Sequence, residues 1–186
     1  MARIAPLELE QTTGEARAAY LYGLEKHGRM TNMKRTLLYS MPSYNVLLEW
    51  WPLFDVIKPF LGERLGIIFA HALSAENDCL VCTMFMRRIL IDWGEDPANL
   101  ELDEKGKLIV EFGRAIAKQG NRVSDELYQK VAGFFSAEQI VALTGFASLM
   151  IATNIITNVL DVDLDEYLYA YRADQPLPPR DAGHGA

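Results

Sequence analysis

A chain of 186 residues, half of them apolar, has the material for one well-filled core and reads as a single domain. Its 18 Lys and Arg against 25 Asp and Glu leave a formal charge of −7, with no basic block, which argues against nucleic acid as a partner. Two cysteines are too few for a secreted disulfide scaffold, the start Met1 to Glu8 lacks a signal-peptide run, and no stretch holds the ~18 uninterrupted apolar residues of a membrane span. A cytoplasmic protein with no membrane partner is expected.

The elements read as helices almost throughout. Thr12 or Thr13 can cap a first helix over Glu15 to Gly23, and an irregular stretch follows around His27 to Asn32. A second helix over Met33 to Tyr39 is expected to stop before Pro42, because proline disfavours helical geometry in the residue ahead of it. Ser43 then caps Tyr44 to Phe54, and Gly62-Glu63-Arg64-Leu65 opens a helix through Leu73. Asn77-Asp78 interrupts, and a further helix reaches about Ile91 before the break at Gly94 to Pro97. Asp103 to Ala117 is amphipathic, with Leu108, Phe112 and Ile116 at helical spacing, and Gly120 ends it. Ser124 caps Leu127 to Val131, and Ser136-Ala137-Glu138-Gln139 forms a capping box before a long helix from Ile140 to Val159. That last helix is apolar but broken by Thr144, Ser148, Thr153, Asn154 and Asn158, so it reads as buried. No alternating stretch supports a sheet, and the fold class is all-α. One domain over 1–174, with its core at about 18–164, precedes a Pro/Gly-containing tail over 175–186, expected to be poorly ordered or to lie on a partner subunit.

The chemistry concentrates at Cys79-Leu80-Val81-Cys82, which holds both cysteines of the chain. The spacing puts both sulfurs on one side of a helix's first turn, close enough to bridge. Asn77 and Asp78 are good N-cap residues, so Cys79 would meet outward-pointing N–H groups that favour the thiolate. The segment reads as a dithiol able to cycle to a disulfide. Two buried thiols that pack as small hydrophobes are the alternative.

A Ser-x-x-Asn-x-Cys lead-in (Ser74, Asn77, Cys79) to a Cys-x-x-Cys helix, within an all-helical chain of this size, resembles the AhpD-like / carboxymuconolactone decarboxylase superfamily. Gly28 to Leu37 is similar to the family's Asn-containing segment before its first long helix, and Asn154 to Leu164 to its closing helix and exit. The resemblance covers roughly Ala18 to Leu164. It implies a homo-oligomeric helical bundle, with the dithiol in a pocket near a subunit contact. In peroxidase members it implies that the second cysteine, here Cys82, attacks the peroxide and that Cys79 resolves the sulfenic acid to a disulfide. A glutamate and a histidine complete the relay in those members. Here those positions hold Ile67 and Met86, neither of which carries a proton at neutral pH.

Two other groups are candidates for the missing relay. His71 stands four residues after Ile67 on the same helix face, and Glu76 stands three residues before Cys79. A hydrogen-bonded core histidine and a solvated helix-end carboxylate are the plainer readings of the two. Zinc is disfavoured, since only His27, His71 and His184 accompany the cysteines, and no cofactor or metal is expected.

Tyr44, Trp50, Trp51, Phe54, Phe60 and Phe69 can line an apolar pocket or pack the core. Met84, Phe85 and Met86 can wall the same pocket. Arg87-Arg88 can offer a cation to a carboxylate substrate or can face solvent, and the acidic run from Asp161 to Glu166 reads as a surface exit.

Three functions follow. The first is a thiol-dependent peroxidase or disulfide reductase acting on a small organic hydroperoxide or other apolar molecule, with a thiol protein as reductant. The second is a lyase of the carboxymuconolactone decarboxylase kind, which has no need of the dithiol. The third is a catalytically degenerate oligomer that binds a small ligand or senses redox state.

Overall fold

The computed structural model describes residues 2–172, and the tail from Gln175, with His184, lies outside the described residues. Among the described residues the chain forms helices α1 Gly14–His27, α2 Asn32–Leu37, α3 Met41–Leu48, α4 Trp50–Leu61, α5 Glu63–Glu76, α6 Leu80–Asp92, α7 Glu104–Ala117, α8 Asp125–Phe134 and α9 Ala137–Val159. Short 3-10 segments lie at Leu9–Gln11 and Glu166–Tyr171, and no strand occurs among the described residues.

The caps explain most of the boundaries. Thr31 accepts from the Lys34 N–H, Asp103 from Gly106 at 2.7 Å, and Ser124 from Leu127 at 3.2 Å. Ser136 and Gln139 make the full reciprocal capping box at 3.2 and 2.9 Å. Pro42 is where the expected and observed helices differ. The second helix stops before it, at Leu37, as expected, but the next starts at Met41 behind Ser40 rather than behind Ser43. Pro42 thus lies in the first turn of α3, where its missing N–H has no intrahelical partner to lose. The segment from Tyr44 to Phe54 is accordingly two helices, α3 and α4, hinged at Glu49.

Helix α5 is the centre of the bundle. It packs most extensively against α6 and α7, and also against α9 and α4. Ile68, Phe69, Leu73, Leu90, Ile109, Leu143 and Phe146 are essentially inaccessible to solvent. Each such large side chain contributes about 1.5–3 kcal/mol of burial. A chain of rings, Trp50–Phe54–Phe146–Phe69–Phe112, runs through this core with centroid spacings between 4.9 and 6.4 Å. The α5–α7 approach depends on Gly113, where a Cβ would come within 2.9 Å of the Phe69 ring.

A smaller cluster of Tyr20, Met30, Leu37, Leu38, Tyr44 and Leu47 packs α1–α3 beside α9. Helix α9 is long and apolar enough to cross a membrane by length and composition alone, yet less than half of its most apolar stretch is buried in the protein. The buried face carries Leu143, Phe146, Ala147 and Met150, and the outward face carries Val141, Ile155 and Val159.

Candidate active site

The two cysteines stand at a tight junction between α5 and α6. Helix α5 closes with the Cys79 N–H on the Ser74 carbonyl (3.0 Å) and the Asp78 N–H on the Ala75 carbonyl (3.2 Å), while Asp78 takes a left-handed φ of 50°. This is a Schellman closure, with Asp78 where glycine is commonest. Cys79 then serves as the N-cap of α6, and its carbonyl accepts the Thr83 N–H at 2.9 Å. The expected caps Asn77 and Asp78 therefore finish α5 rather than start α6. The junction is clamped from two sides. The Asn77 side chain donates to the Leu73 carbonyl at 3.0 Å, and Asn158 on α9 donates to the Asn77 carbonyl at 2.9 Å.

Both thiols are free and buried, Cys79 completely and Cys82 at 5 % exposure. The Cys82 thiol donates to the Cys79 sulfur, which holds Cys79 below the usual thiol pKa. The N–H groups of Cys82 and Val81 and the Thr157 hydroxyl add to this, against the opposing effect of burial. None of those N–H groups makes a full capping bond to the sulfur, but they lie where the first turn of α6 concentrates positive potential. Cys82 is pushed well above the usual value by the proton it shares with Cys79, by burial and by the charge of its neighbour. The pair thus behaves as one acid with its first negative charge on Cys79.

A cavity of about 440 Å³ opens beside this pair, and Cys82 is part of its wall while Cys79 is not. The buried part of the lining is mostly apolar: Leu47, Trp50, Val81, Met86 and Met150 share it with Cys82, and Thr153 and Asp165 are its buried polar members. The Trp50 indole N–H is held on the Met150 sulfur at 2.9 Å, which fixes the ring in the wall. Toward solvent the lining turns polar, with His27, Arg29, Lys34, Arg88 and Tyr167 beside the buried Asp165.

Neither a protein-family model nor a curated protein sequence matches this chain. Solved structures do. A peroxidase-related protein described as an alkylhydroperoxidase AhpD core, from Ralstonia eutropha JMP134, superposes with a TM-score of 0.71 at 14% identity, over 91% of this chain and 95% of that one. The chain has the AhpD-like fold. The debrominase Bmp8, in its apo form, gives 0.70 at 13% identity over 90% and 95% of the two chains. A peroxidase-related protein from Silicibacter sp. TM1040 gives 0.68 at 14% identity over 90% and 96%.

Within this AhpD-like bundle the sequence-derived candidates separate. Cys79 and Cys82 come together. His71 lies on α5 beside the cationic groups Arg87 and Arg114 and is not among the residues lining the cavity. Burial first, then those two arginines, lower its pKa to about 4, so the ring is neutral at pH 7. Glu76 is the last residue of α5, half-buried on the far side of the tight turn, and it too is absent from the lining. Met86 lies one turn from Cys82 in the cavity wall, and Ile67 is in the main core.

The aromatic run divides as well. Trp50 and Trp51 reach the cavity, whereas Phe54 and Phe69 pack the core. Phe85 and Met86 wall the cavity, but Met84 packs with Leu164 and Leu168. The arginine pair splits: Arg88 lines the cavity, and Arg87 donates to the Tyr171 carbonyl at 2.7 Å. The acidic run is not a uniform surface exit, because Asp165 is buried and accepts the Asn32 N–H at 2.8 Å. His27 ends α1 rather than standing in a loop. No group of three metal-ligating side chains occurs among the described residues.

Four residues of the site lie beyond those the sequence points to: Thr157, which touches Cys82 (4.0 Å), and Arg29, Lys34 and Tyr167 at the cavity mouth. Thr157 lies in the closing-helix segment that resembles the family. Arg29 and Lys34 lie in the Gly28 to Leu37 segment without being singled out there. Tyr167 carries no local signal, since only the packing of the 3-10 segment Glu166–Tyr171 on α6 brings it near Arg29.

Proposed function

We propose that the protein is a thiol-dependent oxidoreductase that reduces an organic hydroperoxide with the Cys79/Cys82 pair. One observation carries this reading: Cys82 lines an apolar cavity while its thiol is hydrogen-bonded to a neighbour biased toward thiolate. The AhpD-like fold and its peroxidase-related neighbours support the same class.

The two sulfurs supply the proton transfers that Ile67 and Met86 cannot. Cys82 gives its proton to Cys79 and attacks the peroxide oxygen as a thiolate. The O–O bond breaks, Cys82 becomes a sulfenic acid, and the departing alkoxide takes the proton now on Cys79. Cys79, a thiolate again, attacks the Cys82 sulfur, hydroxide leaves, and solvent protonates it. The disulfide then records the two electrons delivered, and a thiol protein returns them with two protons. This cycle uses neither His71 nor Glu76. It suits the cytoplasm, where thiol reductants are maintained. A homo-oligomer formed through the outward apolar face of α9, with Val141, Ile155 and Val159, completes the reading.

The test is thiol labelling and intact-mass measurement before and after one equivalent of cumene hydroperoxide. Loss of two labelled thiols and two mass units in the parent is expected. Cys82→Ser should consume no peroxide, and Cys79→Ser should stop at a sulfenic acid or mixed disulfide. Persistent labelling of both thiols, or peroxide consumption by both variants at the parent rate, overturns the proposal.

A further inference from the structure

The cavity beside Cys82 is polarised from floor to mouth. Its floor is buried and apolar, while its mouth carries three cationic side chains, Arg29, Lys34 and Arg88, against one carboxylate, Asp165. That local balance runs against a chain whose net charge is −7. Asp165 offsets at most one of the three: its carboxylate accepts the Asn32 N–H at 2.8 Å, and burial raises its pKa despite that bond and the nearby Arg35 and Arg29.

The cations are held in place rather than dispersed in solvent. Arg29 lies over the Tyr167 ring at 4.2 Å from its centroid, and Arg88 approaches the same ring at 6.0 Å and that of Phe85 at 5.4 Å, so one ring joins two guanidiniums. Arg88 is anchored through one nitrogen on Asp92 at 2.9 Å, while its Nε is buried with no acceptor. Lys34 is half-buried, and burial lowers its pKa, with Lys26 adding to the effect. Like charges gathered at the rim of an apolar cavity are destabilising unless an anion joins them.

We infer that the cavity binds an amphipathic anion, with its carboxylate among Arg29, Lys34 and Arg88 and its hydrocarbon body on the Trp50–Met86–Met150 floor beside Cys82. The volume of about 440 Å³ falls within the roughly 300–1,000 Å³ of small-molecule sites. This deepens the peroxidase reading and rests on it for the reaction: the substrate class is then a carboxylate-bearing hydroperoxide, such as the hydroperoxide of a fatty acid. The chain reaction of unsaturated acyl chains with oxygen is the class of chemistry that would supply it.

Calorimetric binding of decanoate and of 1-decanol to the reduced, intact protein tests the site without any redox step. Decanoate should bind about tenfold or more tightly than the alcohol, as expected where charge-assisted hydrogen bonds form at a partly dry site. The preference should fall severalfold in Arg29→Gln, whose side chain is exposed, and fall further in the Arg29→Gln/Arg88→Gln double variant, which leaves only Lys34. Equal binding of acid and alcohol by the parent overturns the inference, as does a preference undiminished in the double variant. Decanoate carries no peroxide, so the two readings fail separately. A protein that selects decanoate yet keeps both thiols under hydroperoxide has the anion site without the peroxidase. A protein that is oxidised yet binds acid and alcohol alike has the peroxidase without the anion site.

Discussion

The Cys82 sulfur lies 4.0 Å from the Thr157 hydroxyl, and that hydroxyl gives its hydrogen to the Thr153 carbonyl at 2.7 Å. In this arrangement the hydroxyl hydrogen is directed at the backbone, and the single Cys82 hydrogen is shared with Cys79. Rotation about the threonine's Cα–Cβ bond or its C–O bond lets it donate to the sulfur instead, when negative charge moves onto Cys82. Thr157→Val keeps the shape and removes that donor. Oxidation of the dithiol by hydroperoxide should slow roughly two- to fivefold, the effect of one long, charge-assisted contact. Thr157→Ser should retain most of the rate. A valine variant that reacts at the parent rate at every pH means that the hydroxyl only fills space.

His71 should make stability depend on pH. Its folded pKa, about 4, is below the unfolded value of 6.5, because burial and then Arg87 and Arg114 disfavour the imidazolium. Between those values the unfolded chain binds the extra proton, so stability falls as pH drops from about 6.5 toward about 4 and changes no further below that. The ceiling of this effect is about 3 kcal/mol, since each pH unit between the two values is worth roughly 1.4 kcal/mol. Urea denaturation of the parent and of His71→Gln across that window checks it. The variant should show a flatter profile, and parallel profiles would mean that the ring is not held neutral.

Much of the architecture was legible because its signals are local. Asp103, Ser124 and Ser136 mark their helix starts by side-chain caps that the sequence displays. The core stripe Leu108, Phe112 and Ile116 needs only helical periodicity to be seen, and all three are buried. Pro42 marks the stop of α2 correctly but hides the start of α3, because a proline is equally at home just after one helix and in the first turn of the next. At the site, Cys-x-x-Cys was visible, but which cysteine faces the cavity was not. The junction that carries both cysteines is joined to α9 by the bond between Asn158 and Asn77, 81 residues apart, a contact no local pattern shows. The charged mouth was less legible still, since Arg29, Arg88 and Tyr167 meet only through tertiary packing.

Asp78 sits at the one turn that sets the direction of Cys79. Its φ of 50° is a conformation in which a Cβ crowds the backbone, and its position in the Schellman closure is the one glycine favours. Asp78→Gly should stabilise the protein by up to about 1 kcal/mol, relief of strain being partly offset by the freer unfolded chain. Asp78→Val should cost about 1–2 kcal/mol and, by displacing Cys79 from the start of α6, raise the pKa of the dithiol. Chemical denaturation reads the first effect and the pH dependence of iodoacetamide labelling the second. A valine variant with unchanged stability and labelling would mean that the turn has no part in setting the thiols.

Asn154 poses the opposite problem, a polar group whose burial is poorly repaid. It is wholly inaccessible to solvent, accepts only a long contact from Ser74 Oγ at 3.4 Å, and leaves its Nδ2 with no partner. Ser74 has the better acceptor in the Ala70 carbonyl at 2.9 Å, so loss of the amide strands nothing there. An unsatisfied buried donor costs about 1–3 kcal/mol, and an apolar side chain of similar size removes that cost. Asn154→Leu should therefore be neutral or more stable by about 1 kcal/mol, a rise in Tm of roughly 2–4 °C for a chain of this length. Asn154 precedes Thr157 by one turn on the same face of α9, so the measurement that matters is paired. If the amide is kept for the dithiol, the leucine variant will gain stability while its reaction with hydroperoxide slows. A loss of stability would instead show that the amide is satisfied in solution, and a gain with no change in rate would show that it serves neither the fold nor the thiols.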